Sequence, residues 1–249
     1  AELLIAALMT RVTEEFETRH GAVPGGGFAV LGLGKLGARE MTPESDLDLM
    51  FCYGCPDEST GSDGAKPLSP IEYYSRLSKR LINALTALTG EGRLYEVDMR
   101  LRPSGAKGPI AVHIEGFARY QRETAWTWEH MALIRGRVIC GPPDIAAAIT
   151  EIIGDTIRTP RQSATLMAEV VAMRQRIERE HGTDNPWSVK HVRGGIVDLD
   201  FICQALILEH AAARPEIITG NTVSGFRRLA NAGCLAHEKG ELEAAVDFF

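Results

Sequence analysis

The sequence predicts an α+β protein, a small mixed β-sheet with helices followed by a helical bundle. Three observations carry this. Short apolar or alternating runs at 28–31, 46–53 and 95–102 have the length and period of strands. After Pro109 the apolar residues recur mainly at helical three- and four-residue steps. The chain has 249 residues, 45% of them apolar, enough to bury one large core or two modest ones.

The elements follow in order. Leu4, Ala7, Leu8, Val12 and Phe16 share one face of a first helix, which Pro24-Gly25-Gly26-Gly27 ends. Phe28-Ala29-Val30-Leu31 reads as a buried strand feeding the turn Gly32-Leu33-Gly34-Lys35. A second strand runs from Asp46 to Tyr53, with Leu47, Leu49, Phe51 and Tyr53 on one face and Asp46 and Asp48 on the other. Residues 54–70 are rich in Gly, Ser, Asp and Pro, and predict a long mobile loop.

Ser69-Pro70-Ile71-Glu72 has the grammar of a capped helix start, with Glu72 closing a capping box. That helix is expected to reach Leu88, burying Ile71, Tyr74, Leu77, Leu81, Leu85 and Leu88. Tyr95 to Arg102 alternates, placing Glu96, Asp98, Arg100 and Arg102 on one ionic strand face. Helical patterns then cover 115–140, 144–157, 161–181, 196–213 and 222 to the end. The break Gly141-Pro142-Pro143 divides the chain into residues 1–141 and 142–249. The sequence opens inside one helical pattern and stops inside another, and so reads as a piece of a longer chain.

Composition narrows the function. A net charge of −6 supplies no general attraction to nucleic acid or anionic lipid, so neither nucleic acid nor membrane is expected as a partner. No stretch approaches the roughly 20 apolar residues of a membrane span, and no secretory signal opens the chain; the expectation is a cytoplasmic protein. The five cysteines are odd in number and mostly lie in apolar runs, as reduced core thiols do. Cys52 and Cys55 form a C-x-x-C with no second pair to complete a zinc site. No histidine has ligand spacing with another.

The chemistry points to the acidic strand face. Aspartates at i and i+2 on a strand sit about 6–7 Å apart on one side, close enough to share divalent cations. Asp98, in the next strand, is the third carboxylate that would complete a set with Asp46 and Asp48. Mg²⁺ is the natural occupant, because phosphoryl-type transfer needs metal ions that offset charge on the attacking and leaving oxygens. The alternative is an ordinary solvated strand face. The turn Gly32-Leu33-Gly34-Lys35 lies a dozen residues upstream, where its backbone amides and Lys35 can approach a triphosphate. It is neither a convincing dinucleotide fingerprint, since the next acids come too soon, nor a Walker A loop, since Leu36 follows Lys35.

Several blocks in one order carry a resemblance. Residues 28–37, Glu40 and Ser45-Asp46-Leu47-Asp48-Leu49 come first. Glu96 to Gly105, Ala125-Trp126-Thr127-Trp128-Glu129-His130 and Gly194 to Asp198 follow. Together these resemble one nucleotidyltransferase half of the glutamine synthetase adenylyltransferase family. Arg102-Pro103-Ser104-Gly105 and 125–130 look more like the adenylylating C-terminal half than the deadenylylating one. The chain departs from the family pattern at Ala38, Met41 and Asp200, where glycine, leucine and glutamate are common.

The resemblance implies a nucleotidyltransferase-type sheet, ATP as substrate with Mg²⁺ or Mn²⁺, glutamine synthetase as the protein modified, and a PII-type signalling protein as partner. It implies Asp46, Asp48 and Asp98 as metal ligands and catalytic residues, with Gly32, Gly34, Lys35, Ser45, Arg100 and Arg102 around the nucleotide phosphates. For Arg100 and Arg102 the competing reading is ion pairing with Glu96 and Asp98. Trp126 and Trp128 are expected in the core, with ligand stacking as the rival reading, and Lys190, Asp198 and Asp200 at a helix start, where a capping role competes with substrate binding. Removal of AMP by phosphorolysis and a non-catalytic nucleotide-binding module are the rival functions.

Overall fold

In the computed structural model, residues 1–90, 92–185 and 187–235 are described. The chain forms two compact units: residues 1–125 with 136–152, and residues 126–135 with the chain from 153 onward. The Gly141-Pro142-Pro143 break separates the last strand of the sheet from the helix that follows it.

In the first unit, α1 (Glu2–His20) leads to β1 (Gly27–Gly32), the short α2 (Gly34–Ala38), β2 (Leu47–Gly54) and α3 (Pro70–Leu85). A hairpin, β3 (Leu88–Thr89) and β4 (Gly92–Arg93), precedes β5 (Val97–Asp98), β6 (Ala111–His113) and α4 (Ile114–Glu123). Next come α5 (Thr127–Leu133), which belongs to the second unit, β7 (Arg137–Cys140) and α6 (Pro143–Arg158). The sheet order is β5-β2-β1-β7, with β6 also on β2; β1 runs antiparallel to β2 and β7, while β5 and β6 run parallel to β2. This is the mixed sheet expected of an α+β protein.

Every residue of β1 is buried, and β2 is buried from Leu49 onward, because side chains on both faces of this central pair are covered. Asp48 alone interrupts that apolar run. Phe28, Val30, Leu49, Phe51 and Tyr53 pack in one core with Phe16 of α1 and Tyr74, Leu77, Leu81 and Leu85 of α3. Tyr74 stacks near-parallel on Phe28 and Tyr53, at centroid distances of 5.9 and 4.6 Å.

Several elements differ from the sequence reading. Helix α3 ends at Leu85, and Leu88 starts the hairpin, 79% exposed. Ile71 is also out of the core, because the helix buries Tyr73 beside Tyr74 instead. No side-chain cap forms at Ser69; Glu72 pairs with Arg76 one turn on. The ionic strand shrinks to Val97–Asp98, since the Asp98 side chain accepts the Arg100 backbone N–H (2.8 Å), and this local bond turns the chain away from the ladder. The helix expected over 115–140 is two helices and a strand: Val138 and Ile139, both β-branched, lie in β7 on the free edge of β1. The 54–70 loop is pinned rather than free, with Asp63, Gly64 and Lys66 donating backbone N–H bonds to the carbonyls of Ala22, His20 and Arg19.

The second unit is helical, built from α5, the end of α6, α7 (Ser163–His181), α8 (Ile196–His210) and α9 (Thr222–Asn231). The part of the last expected helix from residue 236 on lies outside the described residues. Arg135 is 9% exposed and donates to Asp200 Oδ1 (2.6 Å) and Thr222 Oγ1 (2.7 Å), tying α5 to α8 and α9. Asp198 accepts from Arg174 and from the Gly194 N–H, so it serves the start of α8 as a capping acid. Trp126 is 70% exposed, not core. Arg135→Met should leave the Asp200 carboxylate without its cation, held by the Thr222 hydroxyl (2.6 Å), and destabilise the protein by about 3 kcal/mol, read from the urea midpoint; a change within 0.5 kcal/mol would show the pair to be ornamental.

Candidate active site

The site grows from the β1–β2 register. Gly32 pairs with Leu49, so the turn after β1 lies beside the start of β2, and the Leu33 N–H donates to the Asp48 carbonyl at 2.9 Å. Gly34 then adopts φ +50, the left-handed region that glycine enters without strain. Its bareness also makes room: a Cβ there would overlap an Asp48 carboxylate oxygen and stand 2.9 Å from the Asp48 Cγ. The glycine turn and the aspartate strand are therefore one packed object. Arg137 braces it from behind, donating to the carbonyls of Leu36 and Gly37, each at 3.1 Å, and pairing with Glu2. Lys35 is exposed on α2.

Asp48 is half-buried and stands in direct parallel register with Asp98, which puts the two on neighbouring strands. Strands at this spacing lie about 4.8 Å apart, so the two carboxylates repel unless a cation intervenes. Arg100 supplies that cation here. Its Nε donates to Asp98 Oδ2 at 2.7 Å, and its Nη2 reaches the same oxygen. These bonds, against the opposing effect of burial, hold the Asp98 carboxyl below the usual range. The guanidinium also lies in the field of Asp48 and Asp46, and the three acids together raise its pKa. Asp46 itself is exposed.

The other expected residues are placed differently. The Ser45 hydroxyl serves its own turn, accepting the Thr42 N–H (2.9 Å) beside the Thr42 hydroxyl. Arg102 donates to the carbonyls of Met99 (2.8 Å), Ala106 (3.1 Å) and Gly108 (3.3 Å), holding together the turn that Asp98 opens. Lys190, Asp198 and Asp200 lie in the second unit. Cys52 and Cys55 are free thiols, and burial pushes Cys52 up to about 12, so it stays protonated. Spacing could not have revealed the Arg137 brace, which spans about a hundred residues to α2.

Among the described residues no three His, Cys, Asp or Glu side chains are gathered as a ready metal-ligand group. Asp48 and Asp98, hard oxygen donors in register on neighbouring strands, could hold a divalent cation, and Arg100, bonded to Asp98 and in the field of Asp48, stands there as a cationic substitute.

A mixed sheet whose central antiparallel pair carries a glycine turn on one strand and aspartates on the next defines the nucleotidyltransferase type of α+β fold. The family model for glutamate-ammonia ligase adenylyltransferase matches residues 1–152. A bifunctional glutamine synthetase adenylyltransferase/adenylyl-removing enzyme of Xanthobacter autotrophicus is 46% identical over 239 residues, covering 96% of this chain and 24% of that protein. Proteins of the same description from Mesorhizobium japonicum (44% over 249 residues, 100% of this chain and 25% of the relative) and Agrobacterium fabrum (49% over 208 residues, 84% and 21%) match as well. The chain belongs to the glutamate-ammonia ligase adenylyltransferase family. It spans about a quarter of the length of these curated relatives.

Proposed function

We propose that this chain is an adenylylating half, moving AMP from ATP to a tyrosine of glutamine synthetase in the cytoplasm and so regulating nitrogen assimilation. The observation that carries the proposal is the contact of Gly34 with Asp48, itself in register with Asp98. Asp48 and Asp98, with Asp46 beside them, would hold Mg²⁺ or Mn²⁺. When bound, the metal supplies charge neutralisation at the phosphates. Backbone amides at Gly32 and Gly34 and the Lys35 ammonium receive the triphosphate. Arg100 exchanges Asp98 for phosphate oxygens as the nucleotide enters, and its planar fork suits either partner. The tyrosine oxygen forms a bond to the α-phosphorus, the bond to the bridging oxygen breaks, and pyrophosphate leaves with that electron pair. Positioning and charge compensation suffice, with no covalent enzyme intermediate. A PII-type protein as signalling partner is what the family resemblance implies. Among the described residues no helix is long and apolar enough to cross a membrane.

Two expected results test this reading. Arg100→Gln removes the resident cation, so Mn²⁺ in the absence of nucleotide should bind roughly tenfold tighter, about 1.4 kcal/mol by calorimetry, while ATP with Mg²⁺ binds more weakly. Unchanged metal affinity would mean that Arg100 does not occupy the cation position. The direction of transfer rests on the resemblance of 102–105 and 125–130 to the adenylylating half. The chain should label unmodified glutamine synthetase from [α-³²P]ATP. Release of ADP from adenylylated glutamine synthetase and phosphate, without such labelling, would identify the removing half instead.

A further inference from the structure

A groove of about 480 Å³ opens at the end of the first unit where α1 stops, between the 62–68 loop and the middle of α3. Five cationic side chains line it, Arg19, Lys66, Arg76, Lys79 and Arg80, and among the described residues no carboxylate does. The chain carries 33 acids against 27 Lys and Arg, so this concentration is opposite to its net charge. Like charges gathered at one opening cost stability unless an anion compensates them. Arg76 and Arg80 have acidic partners, Glu72 at 2.6 Å and Glu15 at 2.8 Å. Both are solvent-exposed pairs of the kind that contribute little and exchange readily. The Arg19, Lys66 and Lys79 side chains have no acidic partner among the described residues.

Two features make this a shaped site rather than a solvated face. His20 lines the groove yet is only 6% exposed. Its Nδ1 lies 2.7 Å from the Lys66 carbonyl, which can only accept, so Nδ1 donates and Nε2 is the ring's uncommitted nitrogen. The imidazole rests on the buried Phe16 ring at 4.5 Å between centroids, and Arg80 covers the same ring at 5.3 Å. The carbonyls of Glu17, Arg19 and His20 at the end of α1 all accept backbone N–H bonds, so none is left bare to repel an anion. The groove lies at the Gly54 end of β2, beyond Gly21 and Asp63, whereas the glycine turn is at its Leu47 end.

We propose that this groove is a second anion site, separate from the nucleotide site, which takes a small multiply charged phosphate compound between Arg19, Lys66 and Lys79, with His20 Nε2 at its floor accepting a hydrogen bond from a protonated phosphate oxygen. Its size is that of small-molecule sites, about 300–1,000 Å³. Arginine forks and lysine ammonium groups match phosphate oxygens at these corners. The proposal does not depend on the transfer activity.

The test uses inorganic pyrophosphate, without divalent metal, on the 249-residue chain, followed by histidine side-chain NMR and calorimetry. The His20 Nε2 resonance should move saturably. The Lys66→Gln/Lys79→Gln double variant, which alters exposed side chains only, should bind at least tenfold more weakly, and Arg19→Gln alone should weaken binding if the double variant misfolds. Asp48→Asn should leave the His20 response intact. An unmoved His20, equal affinity in the groove variants, or a response lost only in Asp48→Asn would overturn the proposal. Citrate binding as tightly as pyrophosphate would overturn the phosphate class.

Discussion

Asp48→Asn is expected to lower AMP transfer about a thousandfold or more, the scale on which losing a preorganised charge contact at a transition state acts. The amide keeps the size of the side chain, so the strand pairing and the Leu33 N–H bond to the Asp48 backbone carbonyl persist. What disappears is one of the two in-register negative charges on β2 and β5. The protein should not unfold. Removing one of two facing carboxylates relieves repulsion, so without metal the thermal midpoint should hold or rise. Asp46→Asn should act in the same direction on transfer. Steady-state labelling of glutamine synthetase in saturating Mg²⁺, with circular dichroism as the folding control, reads both effects. Wild-type turnover in Asp48→Asn would remove this carboxylate from the chemistry.

Gly34→Val is expected to abolish ATP binding for a reason beyond a blocked phosphate path. The valine Cβ would coincide with the Asp48 carboxylate, so that side chain must leave its position. At φ +50 a β-branched residue also carries backbone strain of about 1–3 kcal/mol. Either the turn shifts or the aspartate does, and both separate the amides from the charge cluster. The thermal midpoint should fall by several degrees, in line with that strain, and calorimetry at a temperature where the variant is folded should show no ATP binding. Parent-like ATP affinity in the folded variant would mean that the turn does not touch the nucleotide.

Much of this was legible because local chemistry decided it. The apolar run 28–31 and its glycine stop specified a buried strand and a turn, and β1 covers Gly27–Gly32. The aspartate alternation placed Asp48 in the first pleat of β2, which starts at Leu47, while Asp46 stands just before the strand. What failed was decided by tertiary partners or by side chains bonding their own backbone. Alternation over 95–102 looked like a full strand, but the Asp98 carboxylate captures the Arg100 N–H and ends the ladder after two residues. Arg102 shares the pattern of Arg100, yet its donors close a turn on three carbonyls. The period of 137–140 looked helical within a helical region, and only the free edge of β1, a hundred residues earlier, makes it a strand. Trp126 was expected inside, since tryptophan usually is, and lies outside at the first turn of α5.

The most direct test of a common nucleotide site is calorimetry of ATP, with and without Mg²⁺, on the parent chain and on Asp48→Asn. If the glycine turn and the aspartates act together, the parent binds ATP tightly only with Mg²⁺, because triphosphate and carboxylates otherwise repel each other. Asp48→Asn should lose most of the metal-dependent gain while binding metal-free ATP no worse than the parent does. Equal affinity in all four titrations, with both proteins folded, would contradict a site shared by Gly34, Asp48 and Asp98.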